Sequence, residues 1–260
     1  MDFLKVVKRQ SFLSGLIYNG LNIALAIAIL VVVQVSGIAW PAFILVLLSK
    51  WRVLAVRPRY WVANIQANLV DLIVSISFVI FLVAANNEAG LLLQLIITGL
   101  YIAWLLALKP RSKRHLVVVQ AGVAAFVGVT ALYMVSFAWP AFAVVAFMWL
   151  IGYAVARHVL GAYDETHILL LSLVWGFIFA ELGWLAYHWT IAYEIPGLVG
   201  IQIPQIAIIM LAICFAAERL YGSYAKHSAV RMSEVTLPLL LSISVIAVLL
   251  LRFNAVGFGN

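Results

Sequence analysis

The chain has 260 residues, of which 67% are hydrophobic and 10% charged, against roughly 25% charged in ordinary soluble domains. That balance excludes a water-soluble fold, and membrane spans of about 20 residues joined by short loops use nearly the whole length, so no folded domain outside the bilayer is expected. The formal net charge of +7 follows the ends of the apolar segments instead of forming one basic face, so the partner it predicts is the membrane surface, not nucleic acid.

Residues 1–10 read as a short basic amphipathic lead-in, and apolar segments follow at about 16–34, 38–56, 60–85, 89–108, 115–136, 138–157, 166–188, 196–217 and 235–251. Lys5, Lys8 and Arg9 precede the first segment with no small-residue cleavage site behind it, so that segment is read as a retained anchor. The runs are continuous and about twice the length of the alternating strands of a membrane barrel, so strands are not expected. The expected fold class is an all-α polytopic membrane protein with nine transmembrane helices.

Basic residues set the expected orientation, because cytoplasmic loops collect Lys and Arg. With the N-terminus cytoplasmic, the inner loops and helix ends gather all of the 16 basic residues except Arg252, among them Lys50, Arg52, Arg57, Arg59, Lys109, Arg157, Arg219, Lys226 and Arg231. A missed span would invert every later loop, so this distribution predicts nine crossings, a C-terminus outside, and a multi-pass protein of a cell or cytoplasmic membrane. Trp40, Trp139, Tyr187 and Trp189 near the outer boundary, and Trp51, Tyr60, Trp61 and Trp104 near the inner one, fit headgroup-level belts. Pro41 and Pro140 fall in first turns, where proline is tolerated, and Pro204 predicts a kink within the eighth helix.

Ala39-Trp40-Pro41-Ala42-Phe43 returns as Ala138-Trp139-Pro140-Ala141-Phe142, each time after Val-Ser. The spacing covers four helices, an even number, so the two halves point the same way and the repeat is a parallel one. The expected organisation is a single membrane domain, 1–260, with repeat one at 1–114, repeat two and an inner loop at 115–234, and the ninth helix with an outer tail at 235–260. Convergence of two hairpins on one turn solution is the competing account.

Chemistry concentrates in the third segment. Asn64, Asn68, Asp71 and Ser75 recur at four, three and four residues and share one stripe of an otherwise apolar helix. On the fourth, Gln94, Thr98 and Tyr101 form a second stripe. If Tyr60 and Lys109 mark level inner ends of an antiparallel hairpin, Asp71 faces Thr98, Asn68 faces Tyr101 and Ser75 faces Gln94. Such a seam is either interhelical glue or the lining of a solute or ion path, because an intramembrane carboxyl is costly and often marks a route.

Glu181 is the second intramembrane acid, and His167 and His188 share its face as a weak proton relay, with about 21 Å of helix between His167 and Glu181. Lys109, Arg111, Lys113 and Arg114 offer a basic rim for anionic lipid of the inner leaflet or for a partner's acidic segment. Gly99, Ala103 and Ala107, and Gly152 with Ala156, offer small-residue ridges for close helix approach within the bundle.

The lone Cys214 excludes an intramolecular disulfide, and no metal-ligand spacing, phosphate-cradling loop or nucleophile elbow is present, so neither cofactor nor metal is expected. A membrane-embedded enzyme would need acids or histidines converging at one rim, and the spacing supplies none. The leading functional reading is a transporter or channel-like protein for a small solute or ion, with Asp71, its polar neighbours and Glu181 on the path. The alternative is a non-catalytic membrane scaffold or subunit whose basic rim docks anionic lipid, a protein partner or a second copy of the chain.

Overall fold

A computed structural model describes residues 2–88, 90–189, 191–194 and 200–252, with the backbone alone at 2–13, 87, 88 and 252. The side chains of Lys5, Lys8, Arg9 and Arg252, the outer tail from 253 and the first residues of the segment expected at 196–217 lie outside the described residues. The chain is a helical bundle: α1 (Asp2–Ser36), α2 (Trp40–Ser49), α3 (Trp51–Leu54), α4 (Trp61–Glu88), α5 (Gly90–Ala103), α6 (Arg114–Val135), α7 (Ala141–Gly161), α8 (Ile168–His188), α9 (Gln205–His227) and α10 (Met232–Arg252). Among the described residues, eight helices are long and apolar enough to cross a membrane, compatible with a multi-pass membrane protein.

Three expectations change. The second segment is not one long helix. Its helix α2 has 10 residues, about 15 Å, and stops at Lys50, whose N–H bonds to the carbonyls of Leu47 and Leu48. The chain restarts as the single turn α3 and passes Pro58 into α4. Pro204 kinks nothing, because α9 begins after it. Proline closes strand β2 (Gln202–Pro204), which pairs antiparallel with β1 (Ala192–Glu194), and serves as the N-cap of α9, a position where no N–H is needed. The proline inside a helix is Pro238, in α10. Gly99, Ala103 and Ala107 lie on an exposed face of α5 and do not meet a neighbouring helix within the bundle.

The core is built on α4 and α6. Helix α6 packs against α4, α7 and α9, and α4 packs against α1, α2, α5, α6 and α7. Val74, Val79 and Leu82 of α4 and Ala124, Ala125 and Val129 of α6 are fully buried. Close approach is purchased by glycine: a Cβ at Gly128 would stand 2.7 Å from Ile73.

Helices α7 and α8 make the tightest pair. A Cβ at Gly152 would meet three atoms of Phe179 at 2.5 to 2.8 Å, and one at Gly183 would meet Met148 at 2.5 Å, so each glycine admits a large side chain from the facing helix. Toward the periphery, α8 packs chiefly on α7, and α10 packs on α9.

Lys50, Lys109, Arg114 and the α7–α8 and α9–α10 turns gather at one end, called here the basic end. The α4–α5 turn, the α6–α7 turn and the β-hairpin lie at the other.

Candidate functional site

The site grows from the α4–α5 hairpin. Gly90 adopts φ +75°, a left-handed conformation that favours glycine, and closes the turn right after α4. That turn sets the register. Asp71 faces Trp104, six residues further along α5 than Thr98, and Ser75 faces Tyr101, seven further than Gln94. The expected pairing assumed level ends, but α4 overshoots: its first 10 residues run past the end of α5, with Trp61, Val62 and Ile65 exposed. Asp71 therefore lies about 26 Å from the far end of α4, at the level where α5 ends, not near mid-span.

There the carboxylate is enclosed by its own bundle. Asp71 Oδ2 takes ion pairs from Lys50 Nζ and from Lys109 Nζ, the latter at 2.9 Å, and Oδ1 accepts the Trp104 indole N–H at 3.1 Å. The side chains of Lys50 and Asp71 are only 12% and 11% exposed.

Local structure explains how Trp104 and Lys109 both reach it. Residues Trp104–Leu108 form a π-helical turn, in which the Lys109 N–H bonds to the Trp104 carbonyl at 2.9 Å. On an α-helix, residues five apart point about 140° away from each other. The wider π turn closes near a full circle and brings both onto the side of α4. Gln120 of α6 then donates to the carbonyls of Leu108 and Arg111 at 2.6 and 2.9 Å and bonds His158 at 2.7 Å, closing that end of the hairpin.

A polar line continues from Asp71 toward the far end. Tyr101 donates to Ser75 Oγ at 3.1 Å, and Ser75 donates to the Asp71 carbonyl. Thr98 donates to the Gln94 carbonyl, and Gln94 Nε2 donates to Asn86 Oδ1 at 3.0 Å and to the Leu82 carbonyl at 3.3 Å. Gln34 of α1 donates to Gln94 Oε1 at 2.9 Å. Below Asp71, Asn68 donates to the Asn64 carbonyl and Asn64 to the Val53 carbonyl. Each polar side chain of the stripe is thus bonded within the bundle. A cavity of about 210 Å³ lined by Tyr133, Ser136, Phe137 and Tyr187 lies at the opposite end from Asp71.

The other candidates disperse. Glu181, His167 and His188 do share one face of α8, but that face is exposed. Lys109 turns inward to Asp71, Arg114 stacks 4.5 Å over the Tyr163 ring, and Arg111 and Lys113 are exposed, so the run is not one uniform rim.

Sequence reasoning missed Lys50 and Lys109 as partners of Asp71. The available signal was that Lys50 is the one lysine inside the nine apolar segments, and a cation and an acid in neighbouring segments are natural partners. Gln34 and Trp104 were missed because each lies off the two stripes, and Asn86, which continues the α4 stripe 11 residues after Ser75, because the third segment was ended at residue 85.

A second cluster joins the α7–α8 turn to α9. Tyr163 donates to Glu218 Oε1 at 2.9 Å, Tyr221 donates to Glu165, and the two tyrosine rings meet edge to face at 5.1 Å. Burial, with the Glu218 carboxylate beside it, pushes the Tyr163 hydroxyl up to about 12. The Tyr221 hydroxyl, with the His167 N–H, holds Glu165 below its ordinary value of 4.5. A depressed folded value stabilises above the unfolded value and is lost as pH falls through the folded one. The melting temperature of a Tyr221→Phe chain should therefore fall short of wild type by a constant margin above about pH 4.5, and the margin should close on further acidification. A margin independent of pH would show that Tyr221 acts only by packing.

No known protein family, curated protein or solved structure matches the chain.

Proposed function

We propose that the protein is a non-catalytic membrane subunit or scaffold, in which the polar seam of α4 and α5 locks the bundle together. The observation that carries this reading is the enclosure of Asp71: three donors of the same bundle occupy its carboxylate, and the polar groups beyond it bond one another in turn. A lock requires that closure, whereas a solute path would have to break it.

In the same reading the basic end is cytoplasmic, α2 is a short second member of nine segments, and the C-terminus lies outside. The two Ala-Trp-Pro-Ala-Phe copies open α2 and α7, which supports a parallel duplication whose first copy has a broken second helix. Arg111 and Lys113, exposed at the basic end, are the groups offered to anionic lipid or an acidic partner segment.

Transport of a small solute or ion is the second reading. Two lysines about one aspartate leave a surplus positive charge at the mouth of the polar line. Flux through liposomes separates the two. The purified protein should carry protons, potassium, chloride and small organic anions no faster than protein-free liposomes do. A flux that an Asp71→Glu variant alters while remaining folded would overturn the scaffold reading in favour of transport.

A further inference from the structure

Helix α8 carries an acid where a membrane helix can least accommodate one. Glu181 lies 13 residues from Ile168 and 7 from His188, about 20 and 10 Å from the two ends of the helix. Its side chain is exposed, and among the described residues it has neither a hydrogen bond nor an ion pair. An intramembrane carboxyl of a finished assembly almost always faces protein, a cavity or a counter-group. On the isolated chain this one faces none of them.

Its surroundings form a pattern. His167, Leu170, Val174, Phe177, Glu181, Trp184 and His188 are spaced alternately three and four residues apart, and all seven are exposed. That is the a/d seam of a left-handed helix pair, sustained over about 32 Å, close to the thickness of the hydrocarbon core. The large side chains on it are open: Leu170 is 62% exposed, Phe177 60% and Trp184 52%. Behind the seam, Gly176 and Gly183 face α7, so the two sides of the helix are specialised for different neighbours.

We propose that this face is where two copies of the chain pair in the bilayer, α8 against α8, with each Glu181 accepting a hydrogen bond from the other copy's Trp184. The choice of a second copy rests on self-complementarity. One face holds an acceptor without a partner among the described residues and, one turn away, an indole N–H that bonds nothing among them while its ring stands edge-on to His188 at 4.9 Å. A two-fold axis along the membrane normal brings each Glu181 level with the other copy's Glu181 and one turn from its Trp184, so each carboxyl can reach the other copy's indole N–H. The inference goes beyond the scaffold reading and does not depend on the Asp71 cluster, which lies on other helices; it requires only that α8 crosses the bilayer.

The test uses the full chain in vesicles of defined lipid-to-protein ratio. In a Cys214→Ser background, single cysteines at Leu170, Val174 or Phe177 should cross-link on oxidation, while one at Leu169, as exposed but off the seam, should not. Glu181→Leu should weaken dimerisation about tenfold, the effect of losing polar contacts between membrane helices. Glu181→Gln, which keeps an acceptor, should restore most of the affinity. Glu181 is exposed and makes no hydrogen bond or ion pair among the described residues, so both variants should melt as wild type does. A monomer at every lipid dilution, equal cross-linking at Leu169 and Phe177, or a dimer indifferent to Glu181→Leu would each overturn the proposal. So would a poly-leucine transmembrane peptide bearing one arginine that binds Glu181 in preference to a second copy.

Discussion

Replacing Asp71 by asparagine is expected to lower the unfolding free energy by about 3 to 5 kcal/mol, the cost of breaking a buried ion pair from one side. The variant keeps an oxygen for the Trp104 indole N–H but leaves two ammonium groups, from Lys50 and Lys109, converging on a neutral amide. Neither can escape easily, since Lys50 ends the broken helix α2 and Lys109 ends the π turn. The companion measurement separates charge imbalance from loss of shape. Exchanging all three for apolar residues, Asp71→Leu with Lys50→Met and Lys109→Met, removes the charges together and should cost only the orphaned Trp104 indole N–H, about 1 to 3 kcal/mol. Reversible unfolding in mixed micelles reads both. If Asp71→Asn unfolds within about 0.5 kcal/mol of wild type, the carboxylate does not lock the hairpin.

Gly152→Ala should be the most damaging small substitution. An alanine favours a helix over glycine by about 1 kcal/mol, and on an open surface the change would stabilise. At Gly152 the added carbon would stand within 2.8 Å of three atoms of Phe179, a ring that is fully buried and cannot swing away. Overpacking of this kind costs about 1 to 3 kcal/mol, and Gly152→Val should cost more as α7 and α8 are forced apart. Gly99→Ala is the matched control, because nothing lies within 4 Å of its added carbon. Comparable melting temperatures for the two alanine variants would mean that the α7–α8 contact is looser than it stands here.

Asn64, Asn68, Asp71 and Ser75 were readable as one stripe because the helical period alone puts them there, and Gln94, Thr98 and Tyr101 are buried as a group for the same reason. Their pairing was not readable, since register depends on where Gly90 closes the turn, and α4 outruns α5 at the other end. The approach of Lys109 to Asp71 was hidden by the π turn, which departs from the period on which any such reading depends.

The length of α2 was obscured because 38–56 is apolar throughout except for the basic residues near Lys50, and nothing in that run marks a break in advance. Spacing puts Glu181, His167 and His188 on one face, but whether that face turns inward or outward cannot be read from a helix that is apolar all round. In a bilayer, lipid-facing and protein-facing surfaces have nearly the same composition.

The π turn at Trp104–Leu108 has one more consequence. It holds a single surplus residue, and that residue fixes the angular phase of everything downstream. Deleting one residue there would let α5 run through in ordinary winding, swing the Lys109 ammonium away from its anion by roughly 100°, and at the same stroke rotate the loop whose carbonyls Gln120 grips. A one-codon change of frame-preserving length would thus decouple charge neutralisation and loop anchoring together.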